Sequence, residues 1–439
     1  MLIIKTNPIF EEEKRYVLDF IFFERLGISY QLVFSDELIN EYHIIYDSRS
    51  IVMDDIYFSL DRQEYLNNDL KKITPYLYTD LEIPLYFYRD DNLQRFDVFG
   101  SIFFFLTLSH EADLECDKHA RVKVNKFKFD PEVPIVDIYI NYLWQLIYIE
   151  WPTLERRILS SYKFDISHDV DQPFYDYKMS ILKFVRFFIG DLFKRKCLYL
   201  ALDRFIRYFG SKFAPAIFDR YFSVFDYLLN YYEKEGIRAT FYFIAIKRVG
   251  KYECDYDIEN RHIKRLLFKI HSNGHQVGLH GSYNSYSNID LLKEEFDKLK
   301  KVCSEIGINQ QSWGVRQHYL RFGKDTSRIQ NEIGFQFDST IGFAETSGFR
   351  SGTSFPYRIF NLDTRKVLDI VEKPLIVMEG TYLTRVYNNH NVNFLDIIKK
   401  NKLLIKKYGG VFSLLWHNNL LVDKLHKKVF EDTIRELKK

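Results

Sequence analysis

Two carboxylates one residue apart, Asp169 and Asp171, end the stretch Phe164-Asp-Ile-Ser-His-Asp-Val-Asp. Phe164 and Ile166 alternate with polar neighbours, the pattern of a half-buried strand. Residues i and i+2 of an extended chain point the same way, so both carboxylates can face one cavity where the strand ends. Two like charges that close repel, and one pKa rises unless a cation sits between them. A metal ion resolves the conflict: one carboxylate ligates it while the other acts as a base on the ion's water. The plain alternative is a loop of solvated acids after a strand, since short acidic motifs match by chance.

The same pattern recurs downstream. An apolar run closes at His280 and continues Gly-Ser-Tyr-Asn-Ser. One imidazole with one carboxylate is a common start to a Zn²⁺ site that keeps an open coordination position. His271 and His275 precede it and are assigned to a helix end and the core. Gly314-Val-Arg-Gln-His-Tyr319 brings Arg316, which can hold Asp169 ionised and oriented by a charge-assisted pair. It also brings His318, a second imidazole at the same level. Ser413-Leu-Leu-Trp-His417 ends an apolar strand in a histidine that suits a general acid for a leaving amine. Four strand ends that each carry an ionisable group point to one shared site.

The elements that must position these groups alternate in type from residue 160 onward. Strand signals at 236–245, 275–280, 312–316, 335–338, 375–378 and 411–416 are separated by helical spacing at 216–235, 260–273 and 289–306. Strand, helix, strand at this interval means parallel β/α units and predicts a distorted (β/α) barrel of about seven parallel strands over residues 156–439. In such barrels the site sits where strands end. Residues 1–155 read as a smaller N-terminal α/β domain of unknown role. It has a helix at 11–26, strands at 28–34, 42–47 and 84–88, and a buried helix beginning near Phe99. His110, Glu111, Asp117, His119 and Arg121 read as a structural ion-pair cluster rather than a second site.

Composition sets outer bounds. A chain of 439 residues is too long for one ordinary domain. With 46% hydrophobic and 28% charged residues it is globular rather than disordered. The net charge of +2 gives no general drive toward nucleic acid. Lys and Arg cluster near 183–207 and 397–407, where solvated helix faces are expected. Cys116, Cys197, Cys254 and Cys303 lack close-pair metal spacing and read as free thiols. The first residues show no basic segment followed by an apolar core, and no apolar run is long enough to span a bilayer, so a cytoplasmic protein is expected.

From about 160 to 420 the order of motifs resembles the polysaccharide deacetylase family, the NodB-homology domain of carbohydrate esterase family 4. Ser167-His-Asp-Val-Asp171 is similar to its first motif, and Ala239-Thr-Phe-Tyr-Phe to its second strand. Gly274-His-Gln-Val-Gly-Leu-His280 is similar to the run into its metal histidine. Arg316-Gln-His-Tyr319 resembles its Arg-Pro-Pro-Tyr motif, and Leu414-Leu-Trp-His417 its closing Leu-x-x-His. The resemblance implies a metal-dependent hydrolase that removes N-acetyl groups from an acetamido sugar or polysaccharide precursor. Asp169 is then the base, Asp171 and His280 bind a divalent metal, usually Zn²⁺, and Arg316 orients Asp169. The backbone N–H of Tyr319 helps stabilise the oxyanion. Leu414 lines the acetyl pocket with Trp416 beside the substrate, and His417 protonates the amine.

One departure stands out. The family's second metal histidine, four residues after the first, is here Asn284, a poor Zn²⁺ ligand beside imidazole. Either His318 or Asn284 completes the set, and His318 is preferred. Asp338 and Arg350, in the Gly-rich stretch 338–357, are expected to contact sugar. The rival readings are a carbohydrate-binding scaffold on a retired barrel and an amidohydrolase acting on a non-sugar amide.

Overall fold

The computed structural model describes residues 1–59, 71–73, 83–89, 95–157, 161–384 and 393–439. Among the described residues the strands are β1 (Leu2–Thr6), β2 (Tyr30–Phe34), β3 (Glu41–Tyr46), β4 (Arg49–Asp54), β5 (Lys71–Ile73), β6 (Ile83–Leu85), β7 (Tyr162–Val170), β8 (Ala239–Phe243), β9 (Gln276–Gly281), β10 (Gly314–Gln317), β11 (Phe337–Asp338), β12 (Tyr357–Asn361), β13 (Lys366–Glu372), β14 (Val377–Met378) and β15 (Gly410–Leu415). The chain divides into two compact units. The first comprises 1–164, 338–377 and 400–412, and the second 165–337, 378–399 and 413–439.

In the first unit four strands run β2-β1-β3-β4. β1 pairs parallel with β2 and antiparallel with β3, and β3 and β4 form a hairpin. The hairpin turns at Asp47 and Ser48, both at positive φ, the backbone that a two-residue primed turn demands. The helix Val98–Leu106, Val-Phe-Gly-Ser-Ile-Phe-Phe-Phe-Leu, is buried on every side. An all-apolar helix must be enclosed, and this one starts at Asp97, whose side chain accepts from the Gly100 N–H at 2.7 Å. The 110–121 cluster is ionic: Asp117 pairs with Arg121 at 2.6 Å.

The first unit also takes in β12 and β13, which the sequence predicted as part of a parallel barrel. They pair antiparallel. Only four residues separate Asn361 from Lys366, too few for the crossover that parallel strands need.

In the second unit strands run β10-β9-β8-β7-β15-β14. β7, β8, β9 and β10 are parallel, joined through the helices Ser223–Glu235, Arg261–Ser272 and Ile289–Glu305. The α/β class and the parallel ladder therefore match expectation; β10 pairs onward with β11, and the full nine-strand order has distinct end strands, so the mostly parallel sheet curls into a half-barrel rather than a closed one. Gly274, at φ +78, ends the helix Arg261–Ser272 in the left-handed form that lets the chain turn into β9. Among the described residues no helix is long and apolar enough to cross a membrane, and all four cysteines are free.

Candidate metal and acid–base site

Strand β7 presents two faces. Ser167 and Asp169 alternate with His168 and Val170, as period-two geometry requires. On one face the His168 Nδ1 donates to the Trp416 carbonyl at 2.7 Å, and its Nε2 accepts from the Tyr232 hydroxyl at 2.6 Å. His168 thus stitches β7 to the chain after β15 and to the helix Ser223–Glu235, and takes no part in the acidic cluster. On the other face the Arg316 Nη1 donates to the Ser167 Oγ at 2.8 Å and to the Asp169 Oδ1 at 2.9 Å. Register sets this up: β9 and β10 pair so that His280 lies opposite Arg316, at the level of the β7 carboxylate end.

Arg316 is buried and lies 4.5 Å over the Tyr242 ring. That ring rests on Gly278, where an added Cβ would stand 2.5 Å from it. Glycine is therefore required by a close approach rather than by its own backbone angles.

Asp171, His280 and His318 bring one ligand atom each to within 4.8 Å of one another. The His280 Nε2 is 3.2 Å from Asp171 Oδ1 and 3.7 Å from Asp169 Oδ2, and the His318 Nε2 is 3.6 Å from Asp171 Oδ1. Asp171 Oδ1 is buried with no hydrogen-bond partner, so the 3.2 Å approach of His280 is proximity without alignment. The His280 Nδ1 donates to the Arg316 carbonyl at 2.9 Å. That fixes the tautomer whose Nε2 lone pair faces the carboxylates, the usual support of a metal-bound histidine. The His318 Nδ1 is buried without such a partner. An orphaned carboxylate oxygen facing two imidazoles, one in the ligating tautomer, fits a divalent cation.

His318 reaches this position because the chain turns sharply behind it. Tyr319 and Leu320 both hold positive φ, at 62° and 54°. Two successive non-glycine residues in the left-handed region cost on the order of 1–2 kcal/mol each. Asn284 is held elsewhere: it is exposed, and its Oδ1 accepts from the Arg321 Nη1 at 3.2 Å. A guanidinium on that oxygen disfavours a cation there.

Across the cluster the His417 Nε2 lies 3.7 Å from Asp171 Oδ2. Its Nδ1 donates to Glu379 Oε1 at 2.8 Å, and its backbone N–H donates to the same oxygen at 2.6 Å. Glu379 is buried and was not singled out from the sequence. The signal was there: it directly follows the strand signal at 375–378, as Asp171, His280 and His417 follow or close theirs.

Electrostatics match the geometry. Burial pushes the Asp169 carboxyl up, but the charges of Arg316, then His280 and His417, outweigh it and leave the pKa lowered. Asp171 is held well below the usual range: burial again opposes, and His318 and His280 prevail. Burial lowers the His280 pKa, and Asp169 and Asp171 raise it more. The carboxylates are thus poised as anions beside the His280 imidazole, which would otherwise hold a proton, the balance that a cation takes over.

The remaining predicted residues are placed differently. Leu414 and Trp416 are fully buried. The Leu414 carbonyl accepts from the Ser167 Oγ at 3.3 Å, and Trp416 packs on Phe430 and Phe394. Tyr319 packs edge-on against Tyr252 and Tyr283. Asp338 and Arg350 belong to the first unit and do not join the cluster. Arg350 is buried, and its guanidinium grips Glu111 through two hydrogen bonds of 2.7 Å. Asp338 is buried too and accepts from Thr340. Much of the stretch 338–357 is buried, and these polar groups pair within the unit.

A family model described as "Family of unknown function (DUF7033)" matches residues 2–152. No curated protein matches the chain. Similar solved structures include a Mycobacterium smegmatis protein described as a polysaccharide deacetylase (13% identity, TM-score 0.41, covering 63% of this chain and 84% of that one). Puue allantoinase is another (13% identity, TM-score 0.38, covering 71% and 89%). A third is PdaA of Bacillus subtilis, a family 4 carbohydrate esterase (14% identity, TM-score 0.28, covering 48% and 67%). Likenesses of this degree carry no conclusion about reaction or substrate.

Proposed function

We propose that the second unit is a metal-dependent hydrolase that removes the N-acetyl group from an acetamido sugar or polysaccharide precursor. The observation that carries this reading is the convergence of Asp171, His280 and His318 beside a carboxylate held by Arg316 and an imidazole held by Glu379. One carboxylate and two imidazoles are a donor set suited to Zn²⁺ with room for further ligands. Bound there, such a cation supplies Lewis acidity and makes water more acidic.

Asp169, kept ionised by Arg316, is the general base and takes a proton from the attacking water. His417 is the general acid. Glu379 accepts its Nδ1–H, so the Nε2–H faces the site and passes to the departing amine nitrogen. One proton enters through the carboxylate and one leaves through the imidazole, giving a free amine and acetate. As the resemblance implies, the Tyr319 backbone N–H donates to the oxygen on which charge develops, and Leu414 bounds the space for the acetyl methyl.

Metal analysis together with acetate release from a panel of N-acetylated sugars tests the reading. The purified chain is expected to hold a transition metal and release acetate. Asp169→Asn should keep the metal and lose on the order of 10²–10⁴ in rate. Asp171→Ala and His280→Ala should lose the metal. A metal-loaded chain that frees no acetate from any member of the panel sinks the deacetylase reading.

A further inference from the structure

A two-helix hairpin interrupts the path from the carboxylate-bearing strand β7 to the next strand, β8. Its helices are Ile181–Ile189 and Leu198–Phe213. Phe184 stacks on Tyr208 at 4.2 Å in a small core with Met179. At the base the Arg220 guanidinium grips Asp176 at 3.0 Å, and the Lys212 ammonium donates to the Tyr177 carbonyl. The hairpin is therefore a packed element with its own interior.

Its outer face carries the solvated basic side chains expected from sequence and, among them, large apolar ones. Leu182 is 81% exposed, Phe193 75%, Tyr199 76% and Phe213 82%. In the second helix Leu198, Leu202, Phe205 and Phe209 are exposed as well. Their spacing of three and four residues lays them along one stripe. The first helix continues the pattern with Val185 and Ile189. Contiguous apolar surface of this kind marks an interaction site.

The same segment is strongly basic. Residues 178–213 hold nine Lys and Arg against two Asp, a surplus of seven positive charges in a chain whose total is +2. Both aspartates are already engaged, Asp191 by Arg195 and Arg204 and Asp203 by Arg207. Lys183 and Arg186 in the first helix, Lys194 at the end of its π-helical continuation and Lys196 in the turn are exposed among the apolar side chains.

We propose that this hairpin docks the protein peripherally on an anionic lipid bilayer. Its apolar stripe lies at the boundary between headgroups and acyl chains, and its Lys and Arg side chains meet the lipid phosphates. Amphipathic helices with bulky apolar residues on one side and basic residues around them bind membranes in this way. Spanning is excluded by length: the first helix has 9 residues and continues for 5 more in π-helical form through Lys194, the second has 16, and both fall short of the roughly 20 that a crossing needs. A second copy on the same patch would set one surplus of positive charge against another across a two-fold axis. An anionic surface complements it instead. The proposal rests on this surface alone and is independent of the hydrolase reading.

Co-sedimentation of the full chain with vesicles tests it. Vesicles of phosphatidylcholine mixed equally with phosphatidylglycerol are expected to pellet the protein, pure phosphatidylcholine vesicles far less, and added salt should weaken binding. The triple change Lys183→Gln, Lys194→Gln, Lys196→Gln should lower partition onto the anionic vesicles on the order of a hundredfold. The triple change Leu182→Glu, Phe193→Glu, Phe213→Glu should lower it at least about tenfold. All six positions are exposed, so the thermal transition should stay in place. Leu425→Glu, at an exposed leucine outside the hairpin, should leave partition unchanged. Wild-type protein that stays in solution with anionic vesicles overturns the proposal. So do variants that bind as well as wild type, or hairpin variants that convert a dimer into a monomer, which would identify a second copy as what covers the face.

Discussion

His417 is oriented by Glu379, which receives both its ring N–H and its backbone N–H. Burial lowers the pKa of this imidazole, but Glu379, followed by Asp171 and Asp169, raises it to about 10. A raised pKa means the proton is held at all lower pH values and lost as pH climbs through that value. Hydrolysis that needs His417 as an acid should therefore persist at neutral pH and fall on the alkaline side. Glu379→Gln keeps an acceptor for the N–H and removes the charge. The alkaline limb of the rate profile should then move to lower pH, with rate at neutral pH down about 10–100-fold and metal content unchanged. A limb that stays where it was would mean that Glu379 does not set this proton.

Strand β9 shows how an element prepares a site from below. Its register brings His280 level with Arg316, and its Gly278 leaves room for the Tyr242 ring on which Arg316 lies. A methyl at Gly278 would stand 2.5 Å from that ring and 3.1 Å from the Gly314 carbonyl oxygen. The ring can tilt, but the backbone on the other side cannot yield cheaply. Gly278→Ala should therefore cost about 1–3 kcal/mol of stability by overpacking, read by denaturant unfolding. It should also lower activity by displacing the support of Arg316. Unchanged stability and rate would show that the ring is not pinned between these strands.

The chain as a whole returns twice to its first unit, through 338–377 and 400–412. Those segments supply partners to buried groups of the N-terminal part. Arg350 pairs with Glu111, Thr353 donates to Asp137 at 2.7 Å, and Arg365 pairs with Glu13 at 2.7 Å. A buried charge that loses its partner costs about 3–5 kcal/mol, and native domains have only about 5–15 kcal/mol in hand. A fragment ending at residue 155 should thus show no cooperative thermal transition by circular dichroism. A sharp transition in that fragment would mean that the returning segments are dispensable and that residues 1–155 are a self-sufficient domain.

Local pattern alone carried much of this. Alternation marked the face of β7 that bears Asp169, apolar runs ending in ionisable residues marked His280, Arg316 and His417, and uniform hydrophobicity marked the buried helix Val98–Leu106. These are short-range properties, because side-chain direction and burial repeat every two or every 3.6 residues. Which groups meet was decided only in three dimensions. His318 rather than Asn284 approaches Asp171 because two left-handed residues turn the chain behind it while Arg321 occupies the amide. Arg350 is spent on Glu111, 239 residues away, and a pairing at that distance leaves no periodic trace in either segment. Contacts of that kind depend on how distant segments pack and on charges that cannot be buried alone.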